Sequence, residues 1–130
     1  MVDVTDATFE TDVIARSHQV PVVVDLWAPW CGPCRQLTPL LEQAVAATDG
    51  AVVLAKVNVD ENPEVSAAFR VQGIPAVFGL RGGNVVDHFI GARGADEVDA
   101  FVQGLLPSAE ETEVAALLAA GDVASLRRVL

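Results

Sequence analysis

The 130-residue sequence predicts an α/β sandwich built on a mixed sheet, and three features carry that prediction. Two β-branched runs, PVVVDLW (21–27) and VVLAKVNV (52–59), are apolar on both parities, as strands covered by helices on two faces must be. Stretches of helical periodicity separate the strand-like runs. Two later runs flank Gly82, Gly83 and Asn84, turn residues at hairpin spacing, which makes that pair antiparallel.

In chain order, Thr8 can cap a first helix that runs through Arg16 with Phe9 and Val13 inward. PVVVDLW follows as a central strand. CGPCRQLTPLLEQAVAATDG (31–50) then places Leu37, Leu40, Leu41, Ala44, Val45 and Ala47 at helical spacing and ends at Gly50. With VVLAKVNV behind it this is a βαβ unit, expected to cross over right-handed. NPEVSAAFRVQG (62–73) is a shorter helix, with Pro63 suited to its first turn and Gly73 past its end. AVFGLR (76–81) and VVDHFIG (85–91) form the hairpin. ADEVDAFVQGLL (95–106) closes the domain as a helix with Val98, Phe101, Val102 and Leu105 on one face. The resulting order is βαβαβαββα, helices lying on both faces of the sheet.

Pro107-Ser108 breaks this pattern, dividing the chain into a domain of residues 1–106 and a C-terminal extension of 107–130. EETEVAALLAAG (110–121) is an Ala/Leu helix ending at Gly121, and Asp122 can cap VASLRRVL, giving a helical hairpin. A terminal helix of about eight residues is marginal alone. It is expected either to pack on the domain or to begin a helical-repeat region that continues past Leu130.

Composition narrows the function classes. At 52% hydrophobic residues and a mean hydropathy of +0.39 the chain can bury a core, which excludes a disordered protein. A net charge of −10 repels phosphate backbones and anionic lipid, arguing against nucleic-acid and membrane partners. No apolar run reaches the roughly 18–20 residues of a membrane span, and the acidic N-terminal stretch MVDVTDATFETDV does not resemble a secretory signal. The expected location is cytoplasmic.

Both cysteines lie in WAPWCGPC (27–34), where they could form a structural staple, half a metal site or a redox centre. A reducing compartment disfavours the staple, and a structural zinc site needs about four ligands where only His18 and His88 remain, neither at finger-like spacing. Spacing and context favour the redox reading, with no metal. His18 and His88 then have no assigned role and read as surface or hydrogen-bonded histidines. The pair falls where a central strand hands over to a long helix, with Cys31 at the helix N-terminus and Cys34 one turn in. Backbone N–H groups and the helix dipole stabilise an anion there, which should lower the Cys31 pKa and make it a thiolate nucleophile; Cys34 should be the buried resolving thiol. Gly32 adds no bulk beside the sulfur, and Pro33 tolerates a first-turn position.

WAPWCGPC, the strand VVVDLWAPW leading into it and GIPAVFGLRGG together resemble the thioredoxin family over residues 2 to about 106. The resemblance implies the thioredoxin fold and a disulfide reductase working through the CGPC dithiol, with no bound cofactor, a redox-active Cys31–Cys34 disulfide and electrons from a thioredoxin reductase. It makes Cys31 the attacking cysteine, Cys34 the resolving one, and Asp25 the buried acid that moves protons to and from the inner thiol. The residues support the last role independently: a carboxylate among Val23, Val24 and Leu26 is expensive to bury and should have a raised pKa. Lys56 matches the family lysine that approaches this acid and is the one lysine beside seven arginines, consistent with a need for a compact ammonium.

The resemblance also makes Pro75 the cis-proline facing the cysteines, with Ile74 offering its backbone to an extended client peptide. Trp30, Gly32, Pro33, Gly73 and Gly91 would complete an apolar groove for disulfide-containing clients. Trp27 is expected to support the site rather than touch clients, and Pro39 to kink the long helix. Ala76 after the cis-proline, where Thr is usual, and Arg35 after the second cysteine, where Lys is common, depart from the pattern and bear on client preference. The tail from 107 resembles the linker and first helices of thioredoxin-fold co-chaperones with tetratricopeptide-type helices. That implies an alternative activity, a holdase that binds clients, works with chaperones and protects client cysteines.

Overall fold

The computed structural model describes residues 1–107. Val2–Asp3 (β1), Val22–Trp27 (β2), Val53–Asn58 (β3), Ala76–Arg81 (β4) and Asn84–Ile90 (β5) form one sheet in the order β1-β3-β2-β4-β5. β3 pairs parallel with β1 and β2, while β4 runs antiparallel to both β2 and β5. This is the expected mixed sheet of the thioredoxin fold. Helices Gly32–Ala46 (α1), Pro63–Ala68 (α2) and Ala95–Leu105 (α3) cover it. The helices expected at 110–121 and from 123 onward lie outside the described residues.

Strand parity divides the core into two. Val23, Leu54 and Val77 face α1 and α3, where they meet Leu37, Leu41, Val98, Phe101, Val102 and Leu105. Val22, Val24, Leu26, Ala55 and Val57 face the other way, toward Val13 and the α2 residue Val65. α3 presses so close to β4 that a Cβ on Gly79 would collide with the Leu105 side chain. β2 lies at the centre with both faces covered, which accounts for apolar residues on both of its faces, interrupted only by the buried Asp25. Asp25 and Trp27 share the parity of Val23 and therefore point toward α1.

The hairpin follows its turn chemistry. Gly82 and Gly83 take φ of 62° and 83°, the two positive values that a two-residue turn between Arg81 and Asn84 requires. Both histidines are exposed and lie beside this hairpin. His88 stacks on Phe78 at 5.6 Å, ending a row of rings that continues through Phe69 to Phe9, and His18 closes against the backbone at Gly83.

Three helix boundaries differ from expectation. The first helix is a π-helical turn, Glu10–Ala15, continued as a 3₁₀ turn, Arg16–His18. Thr8 does not cap it, because the Thr8 hydroxyl accepts the Thr5 N–H at 3.0 Å instead. α1 stops at Ala46, before Gly50; the Thr48 hydroxyl donates to the Val45 carbonyl and accepts the Val52 N–H, turning the chain early. α2 stops at Ala68, and Arg70 with φ of 53° takes the left-handed place that Gly73 was expected to fill.

The N-terminus of α2 is held from a distance. Asp6 accepts the N–H groups of Val65 at 2.9 Å and Glu64 at 3.2 Å, while Asn62 Oδ1 accepts the Asp6 N–H at 2.9 Å. The acid does for α2 what an N-cap residue would do. Asp6→Ala is expected to lower the unfolding free energy by about 1–2 kcal/mol, the usual cost of losing a cap. Urea unfolding of the variant and the parent checks this, and an unchanged midpoint would refute it.

Candidate active site

Cys31 and Cys34 are joined by a disulfide, with Cα atoms 5.3 Å apart. Cys31 is the N-cap of α1: its backbone is extended (φ −86°, ψ 106°), Gly32 opens the helix, Pro33 follows in the first turn, and the Cys31 sulfur accepts the Cys34 N–H at 3.2 Å. The N–H of Cys31 itself bonds the Ala28 carbonyl at 3.1 Å, and the Arg35 guanidinium donates to the Pro29 carbonyl, so the WAPW turn is tied to the helix it precedes. Exposure does not separate the two sulfurs as expected. Cys31 is 3% and Cys34 2% exposed, and the helix position is what distinguishes them.

Behind the disulfide, α1 presents Cys34, Thr38 and Glu42 at four-residue spacing, one polar line beside the buried Leu37 and Leu41. Across from it, Asp25 and Lys56 are register partners on β2 and β3. Asp25 is fully buried; Thr38 donates to its Oδ2 at 2.8 Å, and no protein group among the described residues donates to Oδ1. Lys56 reaches past its strand partner to Glu42, 3.8 Å away, with its ammonium 5.2 Å from the centre of the Trp27 ring. The lysine therefore joins the acid's surroundings while pairing with a second acid. An open cleft of about 250 Å³, lined by Trp27, Pro29, Cys34, Arg35, Thr38, Pro39 and Lys56, lies alongside.

Burial pushes the Asp25 carboxyl up from 3.8 to about 6, overriding the Thr38 hydrogen bond and the Lys56 charge, which both favour the ionised form; Glu42 adds a smaller push upward.

Of the other expected site residues, Ile74 is the one in contact with the cysteine pair. Its peptide bond to Pro75 is cis, and the Gly91 N–H bonds the Pro75 carbonyl at 2.8 Å. Trp30 is 68% exposed with its indole N–H on Asp60 at 3.0 Å. Gly73 is exposed and lines a separate hollow with Ile90 and His88. Trp27 supports the site as expected, half-buried against the cysteines. Thr38 and Glu42 were missed in the sequence; polar residues four and eight positions after Cys34, on an otherwise apolar helix face, were the available signal. Among the described residues, no group of three or more His, Cys, Asp or Glu could hold a metal ion, and no helix is long and apolar enough to cross a membrane.

The thioredoxin family pattern matches residues 1–104. Thioredoxin 1 of Nostoc sp. is 43% identical over 89 residues, which are 68% of this chain and 81% of that protein. A thioredoxin of Streptomyces clavuligerus is 45% identical over 91 residues, 70% of this chain and 82% of that one. The bifunctional thioredoxin reductase/thioredoxin of Mycobacterium leprae is 42% identical over 93 residues, 72% of this chain and 20% of its own length. With this similarity carried on the fold and disulfide just described, the chain belongs to the thioredoxin family. It is a thiol-disulfide oxidoreductase whose redox centre is the Cys31–Cys34 pair, and the co-chaperone alternative is not favoured.

The raised Asp25 midpoint has a consequence for stability. The folded protein holds this proton more tightly than the unfolded chain, so stability falls as pH rises from about 4 to above 6. Moving the midpoint from 3.8 to about 6 corresponds to about 3 kcal/mol, present in full as a penalty at pH 8 and absent at pH 3. Asp25→Asn removes it. The variant's unfolding free energy relative to the parent should be higher at pH 8 than at pH 3 by up to about 3 kcal/mol, measured by denaturant titration at both pH values. A pH-independent difference would contradict the assignment of this proton.

Proposed function

We propose that this protein reduces disulfides in client proteins and is itself re-reduced by a thioredoxin reductase, in the cytoplasm. The observation that carries the reading is the Cys31 sulfur at the N-cap of α1, accepting the Cys34 N–H, where helix dipole and backbone donors favour a thiolate. The reductase as electron source is supported by the Mycobacterium leprae relative, whose name joins the two activities.

Cys31 thiolate attacks one sulfur of the client disulfide; that bond breaks, a client thiolate leaves, and a mixed disulfide forms. Cys34 passes its proton to Asp25 and attacks the Cys31 sulfur. The Cys31–Cys34 disulfide closes as the second client sulfur departs, and the client has gained two electrons. Protons from Asp25 and solvent complete the client thiols. Lys56 is the cation that moderates Asp25, held beside it by Glu42 and Trp27.

The client's extended backbone lies along Ile74 and Pro75, which border the sulfurs through the Ile74 contact. Trp30 and Pro33 give exposed apolar surface, while Gly32 and Gly73 leave room, since a Cβ on Gly32 would meet nothing within 4 Å. Gly91, bonded to the Pro75 carbonyl, fixes the far wall. Residues 1–106 act as the redox domain, with 107–130 as an extension.

Cys34→Ser should accumulate mixed disulfides with clients, and Cys31→Ser should form none and lose insulin reduction in an assay with NADPH and thioredoxin reductase. Insulin reduction by Cys31→Ser at the parent rate would sink the assignment.

A further inference from the structure

Thr38 lies in a helix, where a threonine hydroxyl ordinarily turns back to the carbonyl four residues earlier. Here it crosses to the sheet and donates to Asp25 Oδ2 at 2.8 Å. The carboxylate thus has unequal oxygens. A proton arriving at Oδ2 competes with an existing hydrogen bond, whereas Oδ1 is buried and receives none from the described residues. Thr38 also stands one turn along α1 from Cys34, so the residue that holds the acid shares a helix line with the inner cysteine.

We propose that Thr38 is a positioning residue for the resolving step: its hydroxyl holds Oδ2 of Asp25 and leaves Oδ1 as the oxygen that takes the Cys34 proton. The inference rests on the reading of Asp25 as the base for Cys34. The S–H bond of Cys34 breaks, the proton bonds to Oδ1, and the electron pair stays on sulfur for its attack on Cys31. The same hydrogen bond favours the ionised carboxylate, the form that can accept a proton near neutrality. Around Asp25, β3 contributes Lys56, which favours ionisation, and α1 contributes Glu42, which opposes it. The β4 residue in register is the apolar Val77. Lys56 is partly engaged by Glu42 and Trp27, so Thr38 supplies the direct hydrogen bond to the acid.

The test compares the parent with Thr38→Val, Thr38→Ala and Thr38→Ser in two measurements: the carboxyl-carbon NMR titration of Asp25 and the pH profile of insulin reduction. Loss of the hydroxyl in the Val and Ala variants should raise the Asp25 midpoint by about one pH unit and move the acid limb of turnover with it. Serine should restore both. If neither hydroxyl-free variant moves the NMR midpoint, the role of Thr38 is overturned whatever Asp25 does in turnover. If the midpoint moves and the turnover profile does not follow, Asp25 is not the base, and the proposal falls with that reading.

Discussion

A carboxylate buried in the central strand of the sheet is the constraint around which this protein is arranged. Asp25 occupies a position where β2 is covered on both faces, and a charge there is tolerated only if neighbours supply what water would. The fold supplies a hydroxyl from α1 and an ammonium from β3, and still leaves the acid with a midpoint near 6. The charged form of this group costs stability, and the proton transfer proposed for it gives that cost a use.

That arrangement depends on register and helix placement more than on any single contact. Pairing of β2 with β3 sets Asp25 beside Lys56, and the parity of β2 turns Asp25 toward α1 rather than toward α2. A one-residue slip in either pairing would expel the acid to the opposite face. The short connection from Trp27 to Gly32, bonded through Ala28 and Pro29, then fixes where α1 begins and makes Cys31 its N-cap. The same helix that holds one sulfur at its N-terminus therefore aligns the other sulfur, Thr38 and Glu42 along its side.

What was legible in the sequence was what local chemistry dictates. The apolar runs of β2 and β3, the Gly82-Gly83 turn and the apolar face of α3 could be read because each is decided within a few residues. The cysteines' place at a helix start was readable for the same reason, and Asp25 stood out as an acid among valines. The remainder is decided by partners distant in sequence. Asp6 serves α2 across 58 residues, Glu42 draws Lys56 from another element, and Thr38 looks like an ordinary helix residue until the sheet brings Asp25 beneath it. Thr8 and Gly73 offered good cap chemistry, but neighbouring chain took their places through the Thr5 N–H and the left-handed Arg70.

Asp25, as proposed, receives the Cys34 proton during resolution of the mixed disulfide. Stopped-flow measurement of that single step across pH, starting from a preformed mixed disulfide on Cys31, reads it directly. The rate should fall as pH drops through about 6 in the parent, and should be slower and without that inflection in Asp25→Asn. Identical rates and pH dependence in the two proteins would contradict it.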